Sequence, residues 1–498
     1  MSATQAGTPA SWAGRWGYYM KGYWVAGIGF AASLHAGTAL ARRPIPPPSS
    51  APVAVPHTLQ EALASAYLSN PVLRRERATL RATDEQVPAA LGGWRPTITG
   101  TANMSYYSGN MMMAPESGGN GYSRRYDLPG YGAGVNISEP IYTGGRTTAS
   151  THRAVHDVMA ERARLILTEQ QVFTDVVNAY VGVIEDQQIL EIDINNEKVY
   201  QEQLHTTELR ARGGEITHTD VAQALAALSA ARATRQQAEG TLEAARATYQ
   251  QVVGAEAPDD LQPPQPLVLP VQSEQDATTR AVENNPNVIA ALFDEAARKD
   301  AVGVAFAALL PSISAQASYA HDINQEEGRS NYDNKMALIS ASVPIYQGGS
   351  EYAAVRAAKQ QVIQAHRAVE VQRRSAIQLA QASWQRILAN RAAITSNREA
   401  ISANVSALAG VERQAIVGTG TTLAVLQQQE TLLQAQVALV MSLGSLVQAS
   451  YQEVAAIGRL TARDLNLDVP LYNEKAYYKA VHDRLWGISD YAVKEPGR

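Results

Sequence analysis

Two histidines, His152 and His156, stand four residues apart. On a helix that spacing puts both imidazoles on one face, where they can share a metal ion. No carboxylate or third histidine completes a site at ligand spacing, so a solvated helix face is expected and a metal is not. Met111-Met112-Met113 offers three thioethers of the kind that suit soft metals. Pro115 and Gly118-Gly119-Asn120-Gly121 follow at once, and Ser108 to Arg125 reads as a mobile surface loop. Its glycines are no phosphate cradle, because no Lys-Ser/Thr pair and helix follow. Cysteine is absent from all 498 residues. That excludes a thiol nucleophile, an iron–sulfur cluster, a disulfide framework and a lipoprotein anchor. No nucleophile elbow, zincin helix or Walker motif occurs. An enzyme is not expected, and no cofactor is implied.

Charge adds little. The clusters Arg74-Arg75-Arg77 and Arg373-Arg374 read as solvated faces. A net charge of -5 is small for this length and implies no polyanion-binding surface, hence no nucleic-acid partner.

The informative residues are structural ones. Pro140-Ile141-Tyr142-Thr143-Gly144-Gly145 returns as Pro344-Ile345-Tyr346-Gln347-Gly348-Gly349, and the two copies lie 204 residues apart. Each sits where an alternating segment stops and a very long helical segment starts. Proline ends strand pairing, and a glycine pair lets the backbone swing. The motif is a strand-to-helix joint, used twice, which points to internal duplication.

Around the joints the chain divides readily. Residues 1–41 read as an export signal: Arg15 and Lys21 precede an apolar run from Tyr23 to Leu34, and Ala39-Leu40-Ala41 fits a cleavage site. No other stretch reads as apolar enough to cross a bilayer. Residues 42–57 are a proline-rich spacer. A first structural repeat covers 58–257, with a β-hairpin at 96–141 and a long helical hairpin at 147–253. After a linker at 258–272, a second repeat covers 273–458, with its β-hairpin at 311–345 and its helical hairpin at 350–458. Residues 459–498 form an aromatic tail without a repeat partner. In the long helix Val158, Leu165, Val172 and Ala179 recur every seventh place, beside Phe173 and Tyr180. That is a coiled-coil seam. Asn285-Pro286 echoes Asn70-Pro71 as a helix break.

Each chain thus supplies four strands with one apolar face, such as Ile98, Ala102, Met104 and Tyr106. Open strand edges are not tolerated in lipid, so these strands must close into a barrel. Four are too few alone; two chains give eight, three give twelve and a water-filled lumen. Signal and strands together imply the outer membrane of a Gram-negative cell, with the helices in the periplasm.

From Thr58 to Gly487 the sequence resembles the TolC family of outer-membrane channel proteins. The carrying pieces are the duplicated Asn-Pro and Pro-Ile-Tyr-x-Gly-Gly motifs, Gly214 with Asp220-Val221, Val417-Gly418-Thr419, and Ala456-Ile457-Gly458-Arg459-Leu460-Thr461. The tail from Leu471 to Gly487 resembles the branch that serves type I secretion as well as drug efflux. The resemblance implies an α+β membrane protein: a homotrimer with a twelve-stranded β-barrel, four strands per chain, continuous with a long α-helical periplasmic tunnel. It implies a passive exit duct that docks to a periplasmic adaptor (membrane fusion) protein and an inner-membrane transporter of ABC or RND type. The contrasting reading is a structural or adhesive coiled-coil protein of the envelope, which explains the heptads but needs no amphipathic strands.

The resemblance also places a closed gate at the helix tips, with the turns Gly213-Gly214 and Gly418-Thr419 as the adaptor-docking ends. The common family pattern has a tyrosine and an arginine tying the inner helix pair to the outer, and two aspartates forming cation-selective rings. Here the first-tip aspartate is kept as Asp220. The tyrosine position is Ala415, the arginine position is Gly420, and the ring positions are Ala424 and Gln427. Arg413 is the available substitute partner for Asp220. A loosely resting gate, weakly blocked by multivalent cations, is the expectation.

Overall fold

A computed structural model describes residues 56–113, 121–324 and 331–488. The export signal, most of the proline-rich spacer and the last ten residues fall outside that range.

The chain opens with α1 (Leu59–Ser69), capped as a capping box: Thr58 Oγ1 accepts from Glu61 N–H while Glu61 accepts from the backbone of Thr58. Helix α2 (Pro71–Asp84) and α3 (Gln86–Leu91) follow. The sequence reads as one helix to Gly92, but it breaks at Glu85. Pro88 lies four residues past Asp84, and its ring would meet that carbonyl in an unbroken helix.

Strands β1 (Thr97–Met113) and β2 (Tyr122–Tyr142) come next, then α4 (Arg146–Arg212) and α5 (His218–Val253). The second half repeats the order: α6 (Glu274–Asn284), α7 (Pro286–Phe306), β3 (Ser312–Ile323), β4 (Asn331–Ser342), α8 (Ser350–Ile416) and α9 (Thr422–Ala456). A short α10 (Ala476–Val481) belongs to the tail. Helices α4 and α8 both have 67 residues, about 100 Å of rise each. Both start, and both end, at the spacing set by the joints.

The strands run past the expected loop boundaries. Ser108 pairs with Asp127 and Met111 with Arg124, so Ser108 to Met113 and Tyr122 to Arg125 are ladder, not loop. In the second hairpin the ladder likewise runs on, with Asp322 pairing with Tyr332 and Ile323 with Asn331. Backbone pairing outlasts the apolar alternation, because ladder hydrogen bonds do not require an apolar face.

The four strands form one antiparallel sheet in the order β1-β2-β3-β4, leaving β1 and β4 as edges. Register puts Ile98, Ala102, Met104 and Tyr106 on the same face as Ile137, Val135, Ala133 and Tyr131. Ala317 and Tyr319 of β3, and Ala337 and Ile339 of β4, join that face. It is bare: Met104 is 74% exposed and Ile339 72%. A bare apolar sheet face suits hydrocarbon. The band also steps across the sheet, its upper end marked by Tyr106, Tyr131 and Tyr319 on successive strands, as tilted strands require. Thr97, Thr99, Asn136, Gln316 and Ser340 line the opposite face.

Below the sheet, α5 with α1 and α2 packs along α4, and α9 with α6 and α7 packs along α8. The shorter helices stack so as to cover the long one. The main core lies between them, with Leu63, Leu73, Leu80, Phe173, Val176, Tyr180 and Tyr249 fully enclosed. The seam residues Val158, Leu165, Val172 and Ala179 are all buried. One expectation fails here. Helix α9 is long and apolar enough to cross a membrane by composition alone, although only 22% of that window is buried in one chain. It packs against α4, α5 and α8 instead. Its apolar character serves helix packing on several sides, a use that a hydropathy window does not separate from a membrane span.

Candidate functional site

At each joint the two glycines take positive φ, 64° and 81° at Gly144 and Gly145, 69° and 83° at Gly348 and Gly349. That left-handed backbone is open to glycine at little cost. Gly145 and Gly349 occupy the N-cap positions of α4 and α8. A bulge between Pro140 and Tyr142 ends the β2–β3 ladder just before the first joint. The joints differ in surroundings. A Cβ on Gly144 would lie 2.8 Å from both Ala307 O and Leu310 Cβ, whereas nothing lies within 4 Å of that point on Gly348. The first joint is seated on the entry to β3; the second, with Pro344 beside Ile345 (91% exposed), is uncovered.

The helix tips repeat as closely. Gly214 and Gly418 take positive φ after α4 and α8. Gly214 N donates to Ala211 O and Gly418 N to Ala415 O, closing each last turn. Gly213 is the C-cap of α4, and Thr419 N donates to Gln414 O. Thr217 and Thr421 then cap α5 and α9, each accepting from the backbone N–H three residues on, Asp220 and Ala424. In the first tip Asp220 answers back: its carboxylate accepts from Thr217 N at 2.9 Å and Thr217 Oγ1 at 2.7 Å. Those bonds, with help from Arg210, hold its pKa below the ordinary range. In the second tip Ala424 returns nothing.

The expected gate residues therefore stand as follows. Asp220 is engaged by its own cap, and Arg413 is exposed and joins none of the ion pairs within 4 Å among the described residues. The structure does not bring these two together within one chain. Ala415 is buried beneath the tip. Gly420 donates to Gln414 O, and a Cβ there would sit 3.0 Å from Ala415 N and Gln414 Cβ. Gln427 is exposed on α9 and Ala424 half-buried. His156 does not face metal with His152; it pairs with Asp300 of α7 at 2.6 Å and stacks on Phe293. No group of three or more metal-ligating side chains exists among the described residues. The methionine run lies at the end of β1.

Three features escaped sequence reasoning. Asn70 and Asn285 do more than break helices: each Oδ1 caps the next helix, and each Nδ2 donates 3.0 Å to the last turn of a returning helix, at Val252 O and Ala456 O. The duplicated Asn-Pro was the signal, but its partner lies more than 170 residues on. Gly458 approaches so closely that a Cβ would fall 2.1 Å from Asn284 O. The tail straps back across α2 and α4. Tyr472 N donates to Tyr67 Oη, Arg77 lies between the Tyr67 and Tyr472 rings, and Arg162 covers Tyr478.

Two strand-to-helix joints, two capped tips and a bare sheet face describe a conduit wall. Comparison with known proteins agrees. The family model of the outer membrane efflux proteins matches residues 62–255 and 278–459, one stretch in each repeat. The chain belongs to that family. It is 34% identical to the outer membrane efflux protein BepC of Brucella suis biovar 1 over 444 residues, 87% of this chain and 92% of BepC. It is 24% identical to the outer membrane protein TolC of Vibrio cholerae, over 67% of this chain and 78% of that one. The outer-membrane channel OprN superposes with a TM-score of 0.70 at 22% identity, covering 80% of this chain and 89% of OprN. Like others in the outer membrane efflux family, this chain is an exit duct of the Gram-negative outer membrane and periplasm. Such ducts work with adaptors and inner-membrane transporters.

Proposed function

We propose that three chains close into one duct with a twelve-stranded barrel above and a helical tunnel below. The observation that carries this is the contrast between the joints. Within one chain the first joint rests on the entry to β3, and β2 pairs with β3. Repeat symmetry asks the same of the second joint: Gly348 should rest on the entry to β1 of the partner subunit, and β4 should pair with that β1. The unpaired edges β1 and β4, and the exposed Ile345, are then all covered by one rotation. Three chains give a barrel with a wet lumen, whereas two give one filled by side chains. The polar face of Thr97, Thr99, Asn136 and Gln316 would line it. Crosslinking and mass measurement in mild detergent should return three copies. A stable monomeric barrel would overturn the reading.

The tips Gly213-Gly214 and Gly418-Thr419 are the proposed docking end for the adaptor, with a transporter of ABC or RND type beyond it, in drug efflux or type I secretion. The gate reading also stands as a proposal. With Ala415, Gly420, Ala424 and Gln427 at the gate positions, closure lacks the charge-assisted bonds worth about 1.5–3 kcal/mol each. The direct trial, Ala424→Asp with Gln427→Asp, should create block by multivalent cations from the periplasmic side in planar bilayers. Gly420→Arg is a poorer trial, because its Cβ must push the Gln414–Ala415 backbone aside.

A further inference from the structure

The seam between the two helical hairpins, where α4 packs on α9, carries carboxylates and, among the described residues, no pairing cation. Glu185 of α4 lies directly over Gly444 of α9: a Cβ on Gly444 would fall 1.7 Å from Glu185 Oε1. The glycine is the recess that admits the carboxyl. From Thr431 to Gln452, α9 carries no charged residue. Asp186, on Glu185's own helix, is the charge that acts on it. On α5, Arg246 is taken by Glu243 and Asp259. Nearer the tips Asp193 of α4 is buried and faces the negative Glu430 of α9. There Arg232 and Arg235 of α5 pair with Glu197. On α8, Arg391 and Arg398 are exposed and join no ion pair among the described residues. Asn196 and Gln429 bridge the same seam with a neutral hydrogen bond of 3.3 Å. The corresponding α8 position, 204 residues on from Glu185, is Ala389, so the second repeat lacks the device.

We infer that the α4–α9 seam is a proton-operated latch, held closed while Glu185 and Asp193 carry protons and loosened when they ionise. The inference rests on the gate reading, in which the two hairpins move apart to open the tunnel. Burial supports the direction: Glu185 is pushed up to about 7 and Asp193 is raised, each chiefly by desolvation. Closing the seam therefore takes up protons between the ordinary carboxyl range near 4.5 and about 7. Across that window the closed state loses ground as pH rises; above it the balance is flat.

The test uses the full trimer in planar bilayers, with pH stepped from 4.5 to 8. The ratio of open to closed time should rise at least about tenfold by pH 7. Glu185→Gln with Asp193→Asn should remove that rise and keep the low-pH ratio throughout. Gly444→Ala, which expels the Glu185 carboxyl into water, should shrink the rise to the share left to Asp193 and lift the low-pH ratio toward the high-pH one. A second readout does not depend on conduction: hydrogen exchange of α9 amides from Val440 to Val447, corrected for intrinsic rate, should quicken over the same pH range in the native trimer alone. A conducting trimer with less than a twofold change, or a double variant that keeps the native profile, overturns the latch and leaves the duct intact. Pores that never conduct, with pH-dependent exchange still present, would instead overturn the gate reading.

Discussion

Gly458 has no freedom to be anything else. Its φ is 77° and its missing Cβ would overlap the Asn284 carbonyl. Gly458→Ala should destabilise the periplasmic helices by roughly 2–5 kcal/mol, from left-handed strain plus overlap. Gly254→Ala also stands at positive φ, but meets only the Ser69 side chain at 3.2 Å, so it should lose about 1 kcal/mol. Thermal unfolding followed by far-UV circular dichroism separates the two; equal losses would mean that the close approach to Asn284 is unimportant. A second residue-scale expectation concerns pH. Because the Thr217 cap depresses the Asp220 carboxyl, the cap is fully present above the ordinary aspartate range and fails as pH falls through the lowered value. Asp220→Asn should fray the first turn of α5 already at neutral pH, read as faster amide exchange at 218–222. Unchanged exchange there would assign the turn's stability to Thr217 alone.

At the scale of elements, the duplication decides which glycines act within a chain and which act between chains. Gly144→Ala presses on Ala307 and Leu310, so it should disturb the chain itself. Gly348→Ala meets open space in one chain, so beyond the left-handed strain of about 1 kcal/mol that both variants carry it should leave the monomer folded while weakening assembly. Heat-resistant trimer on mild gels, beside circular dichroism of the unassembled chain, distinguishes them; equal damage to both would deny the repeat symmetry. The elements were legible in sequence because their signals are local. Seven-residue periodicity marked α4, alternation marked the sheet, and Pro-Ile-Tyr-x-Gly-Gly marked the joints to within a residue or two. What sequence hid was pairing at a distance. The Asn70–Val252 bond, the Glu185–Gly444 recess and the tail strap join residues that no spacing rule connects. Pro88 is legible in the sequence, but the break it causes falls three residues earlier, at Glu85, where periodicity alone continues the helix. The apolar α9 showed the opposite failure, a clear signal with two structural meanings.

For the whole molecule, orientation in the membrane follows from which ends the strands present. Gly121 and Asn331 border the hairpin turns, at the end of the sheet opposite the joints. The native chain has no cysteine, so single substitutions give unambiguous labels. Gly121→Cys and Asn331→Cys should react with a membrane-impermeant maleimide on intact cells, and Glu215→Cys at the first tip should not. The reverse pattern would invert the topology. The equal length of α4 and α8 bears on inheritance as well as on architecture. Inserting one residue into a helix advances its far end by about 1.5 Å and turns it by about 100°. A lineage that lengthened one copy alone would leave one tip rotated and out of level with its fellow, so the adaptor would meet a crooked rim. Viable changes of tunnel length must come as matched pairs, whereas the two β-hairpins, already unequal, were free to drift singly.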